Sequence, residues 1–444
     1  MSQLAAPLPL TAAPAPDGLT FWQACGLWAL AVGFVAFGFL VEFRAVFLHR
    51  PMTDVQVYLR AAWAARTGAD IYAITDDNHW HYHYPPLLAI LAVPLADAPP
   101  GADRTGLLPF PVSVAVWYWL SVAVLAAGIH SLASSLEPGS APGSRRWWAL
   151  RVGPLLACLS PILATLMRGQ VNLFLLALLC FAGAAMLRRR PWRAGLWLAG
   201  AVCLKVIPAF LLIYPLWRRD YRCLGGCVAG MMVGMVFIPG AWFGPAQTTG
   251  YFEEWYHVLM RPALGRGEDH TRDKELIGAT STDSQSLGAI LHNTMHFDPY
   301  KRPREHSATV RLLHWLGGAL MTLVTLLAAG RRAGGHRLRS LLLLGALTLV
   351  MLMLSPICHL HYFCLALPLI MGLVALQWEV YGKKLSLGLI VLVFVNFVAN
   401  GITHFPNTDA ARDLGLAAYA TILLWLFAVV ILWQTRPRPD GSVS

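Results

Sequence analysis

Apolar runs of about 20 residues recur along the chain, separated by short polar segments. A helical run of that length spans a hydrocarbon layer of ~30 Å, at 1.5 Å per residue. Ten runs predict full crossings, at residues 22–42, 112–134, 150–167, 171–187, 222–242, 308–329, 339–355, 361–378, 384–402 and 413–433. The pattern predicts an all-α polytopic membrane protein with about 10 full transmembrane helices.

Two further apolar stretches do not fit a full crossing. Residues 85–98 are bracketed by proline pairs and are too short to span a bilayer. Residues 194–217 carry basic clusters at both ends and place Lys205 and Pro208 in the middle, where proline breaks a helix and lysine is costly in lipid. Because broken helices at membrane depth line polar cavities, we predict a re-entrant pair of half-helices that meet near Lys205.

Composition and charge agree with a membrane protein and argue against a nucleic-acid partner. Hydrophobic residues make up 57% of the 444 residues and charged residues 13%, against about 25% charged in soluble domains. The net charge of +11 comes from arginines and lysines in short loops, which marks those loops as cytoplasmic. We therefore expect an inner-membrane protein in which one domain lies between two cytoplasmic tails. The predicted boundaries are tails 1–21 and 434–444, domain 22–433, and external loops 43–84 and 243–306.

The first external loop begins with "TDVQVYLRAAWAARTGADIY". Val55, Leu59 and Trp63 recur at helical spacing, which predicts an amphipathic helix lying in the membrane interface and starting at Thr53 or Asp54. Asp54 either caps this helix or serves chemistry on the external side.

Other polar residues are predicted on the same external side. The turn "RGQVN" between two apolar helices, the broken segment "CLKVIPAF", the turn "LSPICHLHYF" and the loop segment "STDSQSLG" all carry polar groups at the membrane edge. The candidate site residues in these segments are Arg168, Gln170, Asn172, Lys205, His359, His361 and Gln285.

This set of groups suits a displacement reaction. A carboxylate such as Asp54 can take a proton from an attacking hydroxyl while cations hold a phosphate leaving group. The chain shows no carboxylate pair of the glycosidase type, no glycine-rich nucleotide fingerprint and no GxSxG motif. The stretch "HWHYHY" carries His79, His81 and His83, which either bind a metal or are interfacial residues, and no nearby group completes a metal set.

Five segments in this order resemble the GT-C superfamily of membrane glycosyltransferases, specifically family 87. They are the Asp54 segment, "YHYPPLLAILAVP", "RGQVNLFLLALL", "CLKVIPAFLLIYPLWRR" and "LSPICHLHYF". The resemblance implies a GT-C fold and transfer of a sugar, mannose or a related hexose or pentose, from a polyprenyl-phosphate donor to a hydroxyl of an envelope glycan or glycolipid. Because a glycosyl phosphate is already activated, the chemistry requires no metal, and we expect no cofactor.

The resemblance also assigns roles. Asp54 corresponds to the general base of an inverting displacement, and His361 to the first histidine of a catalytic pair. Lys205 corresponds to the family's membrane lysine. From the chemistry we predict that Lys205, with Arg168, Gln170 and Asn172, binds the donor phosphate. The predicted contacts of the acceptor or the sugar are Tyr58, Tyr84, His359 and Gln285. His359 and Tyr362 replace a tryptophan and a histidine of the family pattern.

Two alternatives remain from the residues alone. An intramembrane lysine in a broken helix is equally expected of a secondary transporter for a polar or anionic substrate. The other alternative is a membrane protein that assembles an envelope polymer without catalysing a reaction of its own.

Overall fold

The computed structural model describes residues 19–46, 53–137, 143–261, 284–331, 336–380, 385–405 and 407–436. Within these ranges the chain is helical and contains no β-strand, and extended pairing is limited to two isolated bridges. The predicted all-α class is confirmed. Most of the predicted N-terminal tail, most of the C-terminal tail and residues 262–283 of the second external loop lie outside the described residues.

The helices are numbered here in chain order. The first half of the chain holds α1 (Phe21–Val46), α2 (Thr53–Thr67), α3 (Pro86–Ala92), α4 (Phe110–Leu136), α5 (Arg145–Ala157), α6 (Leu159–Arg168), α7 (Asn172–Leu187), α8 (Pro191–Leu204) and α9 (Ile213–Arg218). The second half holds α10 (Tyr221–Met231), α11 (Ile238–Phe243), α12 (Pro245–Trp255), α13 (Leu287–Met295), α14 (Ala308–Ala329), α15 (Arg339–Leu354), α16 (Leu367–Val380), α17 (Leu387–Ile402), α18 (Asp409–Asp413) and α19 (Leu416–Gln434).

Six continuous helical segments in the described part of the chain are long and apolar enough to cross a membrane. They are Phe21–Ala45, Phe110–Leu136, Tyr221–Phe243, Ala308–Ala329, Leu360–Val380 and Leu416–Gln434. Three other predicted spans correspond to α7, α15 and α17, which have 16 residues each and are about 24 Å long. The protein is a multi-pass membrane protein, but helix length alone does not confirm ten crossings.

The predicted span 150–167 is a bent pair of helices. The chain there forms α5 and α6, which meet at Cys158 with a bend of 58°. Pro161 explains the break, because its ring nitrogen cannot donate to the carbonyl of Ala157 and its ring clashes with that carbonyl. The bend brings the end of α6 and the following turn towards the Asp54 helix.

The predicted break at Lys205 is confirmed. Helix α8 ends at Leu204, Lys205 is extended with φ −154° and ψ 125°, and a 3₁₀ turn at Ile207–Leu212 leads into α9. Gly195 on α8 packs against Cys223 so closely that a Cβ at Gly195 would collide with the main chain.

Helices α8 and α10 run parallel, with the break at Lys205 and α9 between them in the chain. Further along α8, Cys203 packs against Gly234, which lies in the π-helical continuation of α10 at Met232–Phe237. The contacts therefore advance in the same direction along both helices. The segment 205–218 must therefore run back along them, and α9 ends near the level at which α8 begins.

Helix α2, predicted as an amphipathic interfacial helix, is enclosed by protein along most of its length. Every residue from Val55 to Ala62 is buried, including the polar Gln56 and Arg60. The guanidinium of Arg60 pairs with Asp77 at 2.8 Å and with Asp97 at 3.3 Å. The loop that follows α2 supplies Asp77, and the segment after α3 supplies Asp97. Sequence periodicity does not reveal these partners.

Contacts between helix ends define two ends of the molecule. At one end, Arg337 donates to the carbonyl of Leu136 at 2.8 Å and pairs with Glu379 at 2.6 Å, and Arg146 pairs with Glu379 at 3.3 Å. We refer to this as the Glu379 end. The opposite end, where α2, the start of α7 and the break at Lys205 meet, is the Asp54 end.

Candidate active site

Lys205 lies at the helix break with its side chain buried and only 7% exposed. Its ammonium donates to Asn172 Oδ1 at 3.2 Å and to the Tyr362 hydroxyl at 2.8 Å. The same ammonium lies 4.0 Å from the centre of the Tyr362 ring and 5.5 Å from that of Tyr84. Within the described residues the contacts of this cation are therefore neutral groups, and no carboxylate pairs with it directly.

Asp54 lies in the first turn of α2 with its carboxylate directed at the turn before α7. Gln170 Nε2 donates to Asp54 Oδ1 at 2.6 Å and lies 3.4 Å from the Tyr84 hydroxyl. The Tyr58 hydroxyl donates to Gln170 Oε1 at 3.2 Å. Asp54 thus belongs to a hydrogen-bonded cluster. A role as helix cap, one of the two that the sequence allowed, does not account for these contacts.

The environment of Asp54 shifts its acid–base behaviour. Burial raises the pKa of the Asp54 carboxyl to about 6, against the opposing effects of the Arg168 and Lys205 charges and the Gln170 hydrogen bond. A carboxylate with a pKa just below neutral is ionised at pH 7 and is a stronger base than an ordinary aspartate. That combination suits a general base.

The turn at Arg168–Asn172 links the carboxylate to the ammonium. Gly169 ends α6 in the left-handed region at φ 67°, and the main-chain nitrogen of Gln170 donates to the carbonyl of Thr165 at 3.0 Å. The Trp117 indole donates to the Gly169 carbonyl at 2.9 Å. The turn therefore presents Gln170 towards Asp54, Asn172 towards Lys205 and an exposed Arg168 beside them.

The turn before α16, which carries His359 and His361, also packs against this cluster. His361 is 2% exposed, and its carbonyl accepts from Thr165 at 3.1 Å. The His359 and His361 rings stack at 5.4 Å, and the ring of Tyr362 lies 4.8 Å from that of His361. Both predicted histidines thus lie beside the tyrosine that binds Lys205.

Sequence reasoning did not include Tyr362 among the site residues. The signal was present, because Tyr362 stands where the family pattern has its second histidine. Its contact with Lys205 depends on packing between segments 157 residues apart, which no local pattern shows.

Gln285 is not brought into this cluster by its hydrogen bonds. Its side-chain amide donates to the carbonyl of Arg412 at 2.7 Å, and its main-chain nitrogen donates to that of Cys358 at 2.6 Å. Gln285 and the neighbouring Ser284–His359 bridge hold the His359 turn against the external loop. Its predicted contact with the acceptor remains untested.

The stretch "HWHYHY" ends at Tyr84, whose hydroxyl lies beside Gln170. His81 forms a bridge with Thr75, and the "PPLLAILAVP" stretch that follows is helical, as predicted. In the part of the chain that the structure describes, no three His, Cys, Asp or Glu side chains are grouped as a metal site requires.

Comparison with known proteins gives the family. The sequence profile of glycosyltransferase family 87 matches residues 82–356. That range holds Tyr84, the 168–172 turn and Lys205, whereas Asp54 precedes it and His361 follows it.

Two curated relatives extend the similarity over most of the chain. Both carry the name polyprenol-phosphate-mannose-dependent alpha-(1-2)-phosphatidylinositol mannoside mannosyltransferase. The protein from Mycobacterium tuberculosis is 29% identical over 95% of this chain and 93% of its own length. The protein from Mycolicibacterium smegmatis is 25% identical over 85% of this chain and 82% of its own length.

Among solved structures, ArnT from Cupriavidus metallidurans bound to undecaprenyl phosphate has a TM-score of 0.40. It is 16% identical, with 92% of this chain and 77% of that chain covered. Its apo form has a TM-score of 0.38 at 14% identity, with 93% and 78% covered.

The family match covers more than half of the chain and decides between the enzyme and the two alternatives. A transporter and a non-catalytic assembly protein both lose their support. The chain belongs to glycosyltransferase family 87 and is a multi-pass membrane glycosyltransferase.

Proposed function

We propose that the protein transfers mannose from a polyprenyl-phosphate-mannose donor to a hydroxyl group of a glycolipid acceptor on the extracytoplasmic face. The names of the two relatives support the donor and the class of acceptor. The observation that carries the proposal is a buried cation held by neutral groups, in the same cluster as a carboxylate that is hydrogen-bonded to Gln170.

In this proposal Asp54 is the general base. It takes the proton of the acceptor hydroxyl, whose oxygen attacks the anomeric carbon while the bond to the phosphate oxygen breaks. The electron pair of that bond leaves with polyprenyl phosphate, and in-line displacement inverts the anomeric configuration. Because a glycosyl phosphate is already activated, we propose that the reaction uses no cofactor and no metal.

Lys205 and its neighbours bind the leaving phosphate. An ammonium has three donors, and two are directed at Asn172 and Tyr362, which leaves one for a phosphate oxygen. Asn172 Nδ2 is buried and has no hydrogen-bond partner among the described residues, so it can donate to the same anion. The exposed Arg168 adds positive charge as negative charge develops on the phosphate.

His361 completes the proposed catalytic group. Its Nε2 is buried and has no hydrogen-bond partner among the described residues, so it can bind either the acceptor or the phosphate. Tyr84 and His359 line the same cluster and are proposed contacts of the sugar or acceptor, whereas Tyr58, predicted with them, is fully buried and contacts Gln170.

We further propose ten crossings with the Asp54 end outside. They would be formed by α1, α4, the bent pair α5–α6, α7, α10 with α11, α14, α15, α16, α17 and α19. The parallel packing of α8 and α10 supports a re-entrant segment formed by α8 and α9, because both of its basic ends then lie on one side. Arg146 and Arg337 lie at the Glu379 end, as the positive-inside rule expects of the cytoplasmic side.

Topology reporters test this arrangement. Fusions after Arg190 and after Arg219 should both report the cytoplasm, and one after Tyr300 should report the outside. Opposite locations for the first two would mean that 194–217 crosses once, which would contradict the placement of Lys205 beside an external site.

Transfer itself is tested with the purified protein in lipid vesicles. Labelled polyprenyl-phosphate mannose and a mannosylated phosphatidylinositol should give a labelled, more polar glycolipid, and the new linkage should have the inverted anomeric configuration. Polyprenyl phosphate released without a glycolipid product, or a product of retained configuration, would contradict the proposal.

A further inference from the structure

The amide of Gln170 is the link between Asp54 and the aromatic residues around it. Gln170 is 4% exposed, and every polar atom of its amide has a partner. Its nitrogen, with two hydrogens, faces Asp54 at 2.6 Å and the Tyr84 hydroxyl at 3.4 Å. Its oxygen faces the Tyr58 hydroxyl at 3.2 Å. The amide is thus satisfied in one orientation.

This orientation depends on the proton of Asp54. An ionised carboxylate only accepts hydrogen bonds, so it requires the amide nitrogen to face it. A reversed amide would direct Gln170 Oε1 at Asp54, which is acceptable only when Asp54 carries a proton. A donor that engages Oε1 on its other side therefore favours the ionised form of Asp54.

Tyr58 is held so that it can supply that donor. Its side chain is fully buried, with its ring 5.0 Å from that of Tyr84 in an edge-to-face arrangement and 5.6 Å from that of Trp117. Trp117 also donates to the carbonyl of Gly169, which precedes Gln170. Trp117 thus helps to position both the Tyr58 hydroxyl and the Gln170 amide that this hydroxyl contacts.

We infer that Tyr58 is a positioning residue for the general base, an inference that rests on the proposed function of Asp54. Its hydroxyl selects the orientation of the Gln170 amide that keeps Asp54 ionised and ready to accept the proton of the acceptor. Tyr58 acts through Gln170, without contacting the reacting atoms.

Several other groups face Asp54 and stay in place when Tyr58 changes. The charged ones are Arg168 at the end of α6, Lys205 after α8 and Asp76 in the loop after α2, and the phenols of Tyr84 and Tyr362 are also within electrostatic reach. Removal of one hydroxyl from Tyr58 alters none of these charges. The Tyr58 hydroxyl also contacts the Tyr84 hydroxyl, so a change in the titration of Asp54 would report the hydrogen bonds of this one hydroxyl. Variants at Gln170 then separate the bond to the amide from the contact with Tyr84.

The test is the pH dependence of kcat/KM for mannose transfer by the full-length protein in lipid. In Tyr58→Phe the acid limb should move up by about 0.5–1 pH unit, the size expected for one net hydrogen bond. Well above the limb, the activity should recover to near the wild-type value, because Asp54 is then ionised in both proteins. Tyr118→Phe is the matched control, since its hydroxyl donates to the Phe34 carbonyl away from the site, and its limb should not move.

A double-mutant cycle shows whether Tyr58 acts through Gln170. Gln170→Met keeps the length of the side chain and removes the amide, so the limb should rise further than in Tyr58→Phe. The double variant should match Gln170→Met alone, because the hydroxyl has no amide left to orient.

The outcomes separate this inference from the proposed function. A Tyr58→Phe variant with an unmoved limb, or with the same loss at every pH, would overturn the inference, as would additive effects in the double variant. Full activity of Asp54→Asn would instead overturn the role of Asp54. If Tyr58→Phe lowers the unfolding temperature, the Gln170→Met and double-variant limbs still decide, because they compare proteins that both lack the amide.

Discussion

Two aspartates at the Asp54 end of the molecule, the half-buried Asp54 and the buried Asp413, are treated in opposite ways by the fold. Asp413, in α18, receives both arms of the Arg302 guanidinium, at 2.7 and 2.6 Å, and its charge is fully paired. Asp54 receives an amide hydrogen bond from Gln170, while the nearest cations, Arg168 and Lys205, act on it only at longer range. A paired charge fixes the external loop to α18, whereas an unpaired one stays available for reaction.

The cations show the same difference. The side chain of Arg302 has no exposed surface, and its guanidinium donates to Asp413 and to the carbonyl of His296. Lys205 is equally enclosed but is held by Asn172 and Tyr362, which do not neutralise it. Burial of charge is expensive, so a fold that leaves two opposite charges unpaired in one cluster keeps a site for a ligand that carries charge.

The largest effect is expected for Asp54→Asn. The amide keeps the shape of the side chain but cannot accept a proton, so kcat should fall by about 10²- to 10⁴-fold. The unfolding temperature should be unchanged or higher, because a carboxyl with a raised pKa is destabilised as an anion in the folded state. Turnover and thermal unfolding of the same preparation decide; a wild-type rate per folded molecule would remove Asp54 from the mechanism.

Asp413→Asn should give the opposite result. It leaves the buried Arg302 without its charge partner, and breaking a buried pair typically costs about 3–5 kcal/mol of stability. The protein should unfold at lower temperature, yet the folded fraction should keep its specific activity. Exchange of both partners for apolar residues, Arg302→Met with Asp413→Leu, should recover much of the lost stability; a stable but inactive Asp413→Asn protein would contradict the contrast between the two aspartates.

Lys205→Met should weaken donor binding and turnover together. The methionine keeps the apolar stem and removes the charge that binds the phosphate, and Lys205→Arg should restore part of the activity because a guanidinium also binds phosphate. Lys301, whose side chain is 87% exposed, supplies the control substitution Lys301→Met. Donor titration and initial rates are the measurements, and a loss of rate with unchanged donor affinity would argue against phosphate binding by Lys205.

The smallest effect concerns pH. Because only ionised Asp54 can act as a base and its pKa is raised to about 6, kcat/KM should be level above that pH. Below it, kcat/KM should fall about tenfold per pH unit. The residual activity of Asp54→Asn should lack this limb, while Asp413→Asn should keep it. A wild-type profile that is flat down to pH 5 would show that Asp54 has an ordinary acidity and that its burial is relieved in the working enzyme.

The sequence by itself determined the features that depend on neighbouring residues. Apolar runs and their basic loops predicted a polytopic all-α membrane protein, and Pro208 with Lys205 predicted the helix break that the structure shows. Gly169 predicted a turn after α6, where it adopts a left-handed conformation. These features follow from helix geometry and from the cost of polar groups in lipid, which act within a few residues.

Tertiary structure decided which of these residues meet. The contact of Gln170 with Asp54 spans 116 positions, and that of Tyr362 with Lys205 spans 157. Periodicity predicted an amphipathic α2 with an exposed polar face, but Asp77 in the following loop pairs with Arg60 and that face is buried. Gln285 appeared to belong to the external polar groups, yet its amide bonds to the main chain of Arg412. Such pairings depend on how distant helices pack together, and the same polar residue can face a partner or a ligand with no change in its local sequence.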